Sequence, residues 1–192
     1  MKIGVLALQG DFAEHLNMLK RIRAQGVEVR LPEHLAGLQG LILPGGESTT
    51  IGKLSEAYGL MEPLRAFAGT HAVWGTCAGA ILLSRDARRE QPLLRVMDIT
   101  VQRNAFGAQV DSFEADLDIP ELLKATHTSH PYPAVFIRAP IIEQVRGDAR
   151  VLSALPDGRI VAAQEGRLLA TSFHPELTDD TRFHEYFLSL VS

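Results

Sequence analysis

The chain of 192 residues has a single cysteine and no run of apolar residues long enough to span a bilayer. One cysteine cannot close an intrachain disulfide, and with the histidines scattered it offers none of the paired spacings of a structural zinc site. Basic residues are in deficit: 19 Lys and Arg face 23 Asp and Glu, for a net charge of −4. The positive excess that neutralises phosphate backbones is therefore missing, and no nucleic acid partner is expected. The apolar start from Met1 to Leu8, ended by Gln9-Gly10-Asp11, is too short for a secretory signal. A cytoplasmic chain without membrane association is the expectation. Repeats, low-complexity tracts and linkers are also lacking, and the length suits one sizeable core, so residues 1–192 read as a single domain.

What is there alternates. Ile3 to Leu8 is a near-continuous apolar run of the kind buried on both faces of a parallel sheet. Asp11 is placed to cap a helix over Phe12 to Gln25, and Gly26 to stop it before a strand at Val27 to Leu31. Gly40 to Leu43 and His71 to Thr76 read as two more buried strands, followed by helices over Thr49 to Tyr58 and from Ala78 to Leu83. This order predicts an α/β layered domain with a mostly parallel sheet. The second half breaks into short segments: 97–102, 109–115, 134–138, 141–146, 151–154, 160–164 and 168–173. Gly, Pro and Asp turns separate them, as for antiparallel additions. Asp157-Gly158 marks a hairpin, and Asp179 or Asp180 is placed to cap a last helix carrying Phe183, Tyr186, Phe187 and Leu190.

By base rate a lone cysteine is core filler. The setting of Cys77 argues otherwise: Gly75-Thr76-Cys77-Ala78-Gly79 leaves a buried strand and opens a helix, the context of a nucleophile elbow. The glycines permit the sharp turn, and the helix N-terminus favours the thiolate. His174-Pro175-Glu176 sits just past another apolar segment, and in that pair His174 can move the proton while Glu176 orients the imidazole. Pro44-Gly45-Gly46-Glu47-Ser48 ends a third buried strand. Gly45-Gly46 backbone amides together with that of Ala78 are candidate oxyanion donors, while a plain turn with Ser48 as N-cap explains the same residues. His15 and His184, at helical positions beside polar neighbours, and His127 and His130, in a loop, lack the ligand count of a metal site, and no metal is expected. Arg65, Arg88 and Arg89 read as solvated surface.

With those residues in place, the sequence resembles the class I, triad-type glutamine amidotransferases, and within them the glutaminase subunits of pyridoxal 5′-phosphate synthases. The resemblance runs end to end. It rests on Leu8-Gln9-Gly10 with Glu14-His15, Leu43 to Thr50, Gly75 to Gly79, Arg103-Asn104-Ala105-Phe106-Gly107, Val110 to Glu114, Phe136 to Pro140 and Phe173 to Leu177. It implies a three-layer flavodoxin-like fold and hydrolysis of L-glutamine to glutamate and ammonia through a γ-glutamyl thioester. Cys77, His174 and Glu176 are then the triad, and glutamine binding falls on Gly46, Glu47, Ser48, Arg103, Ile137 and Arg138. Either arginine suits the substrate carboxylate. Ala108, where such chains often have a larger or basic residue, and the irregular charged stretch from Arg85 to Arg95 depart from the pattern without touching the triad.

If the whole chain builds one glutaminase, nothing remains to bind an ammonia acceptor. The resemblance names that acceptor chain as a synthase subunit in a heteromeric complex, which makes pyridoxal 5′-phosphate from ribose 5-phosphate and glyceraldehyde 3-phosphate. No cofactor is expected in this chain. Three other readings remain open from sequence: a γ-glutamyl hydrolase or cysteine peptidase on the same elbow, a glutaminase serving another acceptor, and a non-catalytic binding protein.

Overall fold

The computed structural model describes residues 1–103, 112–128 and 130–191. In the first part, strands β1 (Lys2–Leu6), β2 (Gln25–Val29), β3 (Gly40–Leu43) and β4 (Ala72–Thr76) alternate with helices α1 (Phe12–Arg21), α2 (Ser48–Ala57) and α3 (Met61–Ala68). A single residue then separates β4 from α4 (Ala78–Leu83), which runs into β5 (Ser84–Asp86) and β6 (Met97–Gln102). Next come β7 (Ser112–Leu117), α5 (Pro120–Thr126), β8 (Tyr132–Ile137), β9 (Ile141–Val145), β10 (Arg150–Ala154), β11 (Ile160–Glu165), β12 (Leu168–Thr171) and α6 (Arg182–Val191).

Strand order in the main sheet is β2-β1-β3-β4-β12-β11-β9-β6-β5, with β10 paired to β11. The pairings among β2, β1, β3, β4 and β12 are all parallel, and β11 joins β12, β9 and β10 antiparallel. The α/β class, the mostly parallel sheet and the antiparallel additions thus match the sequence expectation. β7 and β8 form a separate antiparallel ribbon.

Alternation along the central strands sorts the core into two clusters, one per face. Leu41, Leu43 and Val73 point to the side covered by α2, α3 and α4, with Ile51, Leu64 and Ile81. Ile3, Val5, Ile42 and Trp74 point to the side covered by α1 and α6, with Leu19, Phe183 and Phe187. Strands buried on both faces must be apolar throughout, which is why they read as continuous runs. A parallel arrangement also sends the carboxyl ends of β1, β3, β4 and β12 to one edge. The chain reverses its winding at β1 and β3, and a crevice opens outside the strand ends there.

Several local expectations are corrected. Gly26 does not stop α1; it lies inside β2, where an added Cβ would sit 2.7 Å from Leu16 Cδ2, so its bareness lets helix and strand pack closely. The helix ends earlier, with Arg23 in the left-handed region (φ 59°). Asp11 occupies the N-cap position of α1 without a capping hydrogen bond. Ser48 is not the cap of α2: Glu47 is, accepting from the amides of Thr49 and Thr50. Arg65 is half-buried and does more than face solvent: its guanidinium donates to the carbonyls of Leu93 and Leu94 and pins the 85–95 stretch, whose leucines are buried. Arg88 is exposed and pairs with Glu143. The Asp157-Gly158 hairpin joins β10 to β11 as expected, with Gly158 at φ 86°. No helix among the described residues is long and apolar enough to cross a membrane.

Candidate active site

The turn between β4 and α4 is made by Cys77 alone, whose backbone lies at φ 49°, ψ −105°, a strained conformation for a residue with a side chain. Two glycines make room for it. A Cβ on Gly75 would sit 2.4 Å from the carbonyl carbon and oxygen of Gly79, and one on Gly79 would sit 1.9 Å from the Leu43 carbonyl oxygen. The elbow is therefore jammed against both its own helix and the end of β3. As the first residue of α4, Ala78 has an amide with no intrahelical acceptor, and that amide follows directly on the thiol.

His174 and Glu176 follow β12, the strand beside β4. Both are buried, and His174 Nδ1 lies 2.6 Å from Glu176 Oε1. The same nitrogen is 3.5 Å from Asp11 Oδ2, so a second, more exposed carboxylate also faces the imidazole. Burial disfavours a charged His174, but hydrogen bonds to the Cys77 sulfur and to Glu176, with the charges of both, outweigh it and push the imidazolium up to about 10. Burial is the dominant influence on Glu176 and pushes its carboxyl up, against the pull of His174.

Gly45 and Gly46 close the site from the β3 side. A Cβ on Gly45 would touch His174 Cε1 at 2.6 Å, and Gly46 takes φ 145°, a conformation that glycine alone adopts readily. The Gly45 carbonyl accepts from the Asp11 amide at 3.1 Å. In a trans peptide the Gly46 N–H then points the opposite way. Gln9 Oε1 accepts from the Glu47 amide at 2.8 Å and fixes the loop.

These elements enclose a cavity of about 400 Å³, within the range of small-molecule sites. Of the sequence-selected residues, Cys77, His174, Gly46, Glu47, Ser48, Ala78, Arg103, Ile137 and Arg138 line it, while Glu176 stands behind His174. Gly45 abuts the imidazole without lining the cavity. The stretch Asn104 to Gly107 that follows Arg103, together with Ala108, lies outside the described residues. Gln9 and Asp11 line the cavity without having been singled out for chemistry, although Gln9 stands in the Leu8-Gln9-Gly10 motif.

The two arginines differ. Arg103 is held by Glu47 Oε1 at 3.0 Å and Thr49 Oγ1 at 3.2 Å. Burial works against the charge of Glu47, but the Thr50 hydroxyl, the amides of Thr50 and Thr49 and the Arg103 charge prevail and hold its carboxyl at about 2. Arg138 sits at φ 41° on the cavity rim, with no ion pair to any other described residue.

Asp11, His174 and Glu176 bring ligand atoms within 4.8 Å of one another. His174 Nδ1, the nitrogen facing both carboxylates, is already satisfied by Glu176, and a metal there would displace that hydrogen bond. His15 and His184, set aside on sequence, are both fully buried and hydrogen-bonded to each other next to Glu176. Their helical, polar-flanked positions carry no sign of this, because the burial comes from elements distant in sequence.

The model of the SNO glutamine amidotransferase family matches residues 5–192. The pyridoxal 5′-phosphate synthase subunit PdxT of Roseiflexus sp. (strain RS-1) is 55% identical over 194 residues, covering 99% of this chain and 100% of that protein. The protein of the same name from Moorella thermoacetica (strain ATCC 39073) is 53% identical over 193 residues, with 100% of both chains covered. Among solved structures, a glutamine amidotransferase crystal structure superposes with TM-score 0.91 at 49% identity, covering 98% of each chain. PurLQS from Thermotoga maritima, 13% identical with TM-score 0.74 and covering 100% of this chain and 98% of that one, shares the fold.

Proposed function

The chain belongs to the SNO glutamine amidotransferase family, and from that premise we propose that it is the glutaminase subunit of a pyridoxal 5′-phosphate synthase, with Cys77 as the nucleophile. It hydrolyses L-glutamine to glutamate and ammonia. Residues 1–192 act as one glutaminase domain, and a synthase subunit is the chain that consumes the ammonia.

One observation carries the assignment of roles: a thiol on a strained elbow shares a cavity with an imidazole whose far nitrogen is held at 2.6 Å by a buried carboxylate. With Nδ1 bound to Glu176, Nε2 is left for the thiol. Cys77 gives its proton to His174 and attacks the side-chain amide carbon of glutamine. The oxyanion forms beside the amides of Ala78 and Gly46. His174 returns the proton to the departing nitrogen, which leaves as ammonia, and a γ-glutamyl thioester remains. His174 then takes a proton from water, which cleaves the thioester and restores the thiol.

At the far end of the cavity, Arg138 pairs with the substrate α-carboxylate. Arg103 already holds Glu47 and Thr49, so it steadies the Gly46-Glu47-Ser48 loop, whose backbone meets the α-amine and amide. Ile137 supports the glutamine chain from the rim.

Glutamate release from glutamine, measured with and without the purified synthase subunit, tests this reading. Cys77→Ala is expected to keep the melting temperature and to lose hydrolysis entirely; a Cys77→Ala chain that still released glutamate at the wild-type rate would refute it.

A further inference from the structure

Behind the triad runs a chain of buried polar groups that the reaction as described leaves unused. His15 on α1 places Nδ1 3.0 Å from Nε2 of His184 on α6. Its other nitrogen, Nε2, lies 3.1 Å from Oγ1 of Thr76, the residue preceding the nucleophile, and 3.4 Å from Oε2 of Glu176. His15, His184 and Thr76 are fully buried. Among the described residues Glu176 Oε2 completes no hydrogen bond, His15 Nε2 approaching it at 3.4 Å without good alignment, and His184 Nδ1 completes none either.

The ring protons can be arranged in two ways. Burial, then the neighbouring histidines His184 and His174, hold His15 well below its ordinary pKa. Burial and then the Arg21 charge bring His184 down to about 3. Both are therefore neutral, with one N–H each. If His15 carried its proton on Nδ1, a bare Nε2 lone pair would face the Glu176 carboxylate, and a buried His184 N–H would be orphaned. With the proton on Nε2, His15 meets Glu176 Oε2 and Thr76 Oγ1, while His184 donates through its own Nε2 to His15 Nδ1. Only a lone pair on His184 Nδ1 is then left over. The second arrangement is the one a charged Glu176 selects.

We propose that His15 is a positioning residue for the triad: its Nε2–H, set by His184, is aimed at the second oxygen of Glu176 and at Thr76, tying the orienting carboxylate to the nucleophile's elbow. This rests on the triad reading above. Glu176 is faced by His174 through Oε1, by His15 through Oε2 and by the charge of Asp11. His15 is the neutral donor among these. It keeps Oε1 turned to His174 and favours the ionised carboxylate against burial. Trp74 meets both rings edge-on and closes the network from the sheet side.

The test uses the complex with the synthase subunit, measuring glutamate release from pH 6 to 9 for wild type, Cys77→Ala, His15→Phe and His15→Gln. Phe keeps the ring and removes both nitrogens; the Gln amide restores a donor towards Glu176. Removing the N–H that faces the buried carboxylate oxygen is expected to cost His15→Phe on the order of tenfold in kcat with KM unchanged. The acid limb of its pH profile moves up, and His15→Gln recovers most of the rate. Wild-type kcat and pH profile in His15→Phe would overturn the proposal. An independent check needs no variant: nitrogen-15 histidine spectra of the wild-type chain should show His15 as the Nε2–H tautomer, and an Nδ1–H signal would overturn it too. Inactive wild type, or active Cys77→Ala, would instead condemn the triad reading itself.

Discussion

Gly79→Ala adds one methyl group at the point where the elbow presses on β3. The new Cβ would sit 1.9 Å from the Leu43 carbonyl oxygen and 2.7 Å from its carbon, against a floor of 3.0 Å for real contacts. The atoms it meets are backbone, held in register by the β3–β4 pairing, so no side chain can swing aside. Roughly 1 Å of separation must open between α4 and β3, and overpacking of this kind costs about 3 kcal/mol, the upper end of the usual range. For a chain of this size that is a fall of about 6–12 °C in melting temperature. The same shift moves Cys77 relative to His174, and a displacement near 1 Å costs about 100-fold in kcat. Gly69→Ala is the control: its φ is −68° and the nearest atom to its Cβ lies at 3.4 Å, so stability and rate should stay at wild-type values. Calorimetry and glutamate release read both effects. A Gly79→Ala chain that melts with the wild type and turns over within threefold of it would show that the tight glycine contact does not hold the nucleophile in place.

Arg138→Ala is expected to raise KM for glutamine by about 10- to 100-fold, the loss of a charge-assisted pair with the α-carboxylate, with little change in melting temperature. Arg103→Ala should instead lower stability as well, because it frees Glu47 and Thr49, and steady-state kinetics with thermal melts separate the two roles. Glu47 has its carboxyl depressed from 4.5 to about 2 in the fold, so its contribution to stability is complete above pH 4.5 and is lost as pH falls towards 2. Urea denaturation of Glu47→Gln and wild type should therefore differ at pH 7 and converge only as pH reaches about 2. A gap that persisted at low pH would assign the effect to packing.

The sequence by itself determined the layered class, the strand-elbow-helix around Cys77 and the pairing of His174 with Glu176. All three are local: an unbroken apolar run marks a strand buried on both faces, two flanking glycines mark a turn without room for Cβ atoms, and two residues of spacing place a carboxylate beside an imidazole. The bounds 97–102 of β6 and the start of α4 at Ala78 were legible for the same reason. Two short helices were not. α3 carries Pro63 within eight residues between Gly59 and Gly69, and α5 opens on Pro120, so neither shows a helical period long enough to stand out. Tertiary structure decided what depends on neighbours from distant parts of the chain. The parallel pairing of β12 with β4 brings His174 to Cys77 across 97 positions of sequence. Glu47 took the capping role that Ser48 was placed to fill, and it engaged Arg103. His15 and His184, unremarkable on their own helices, meet only because α1 and α6 cover the same face of the sheet. Hydrophobic period tells which side of an element is buried, but not which polar group waits on the element it is buried against.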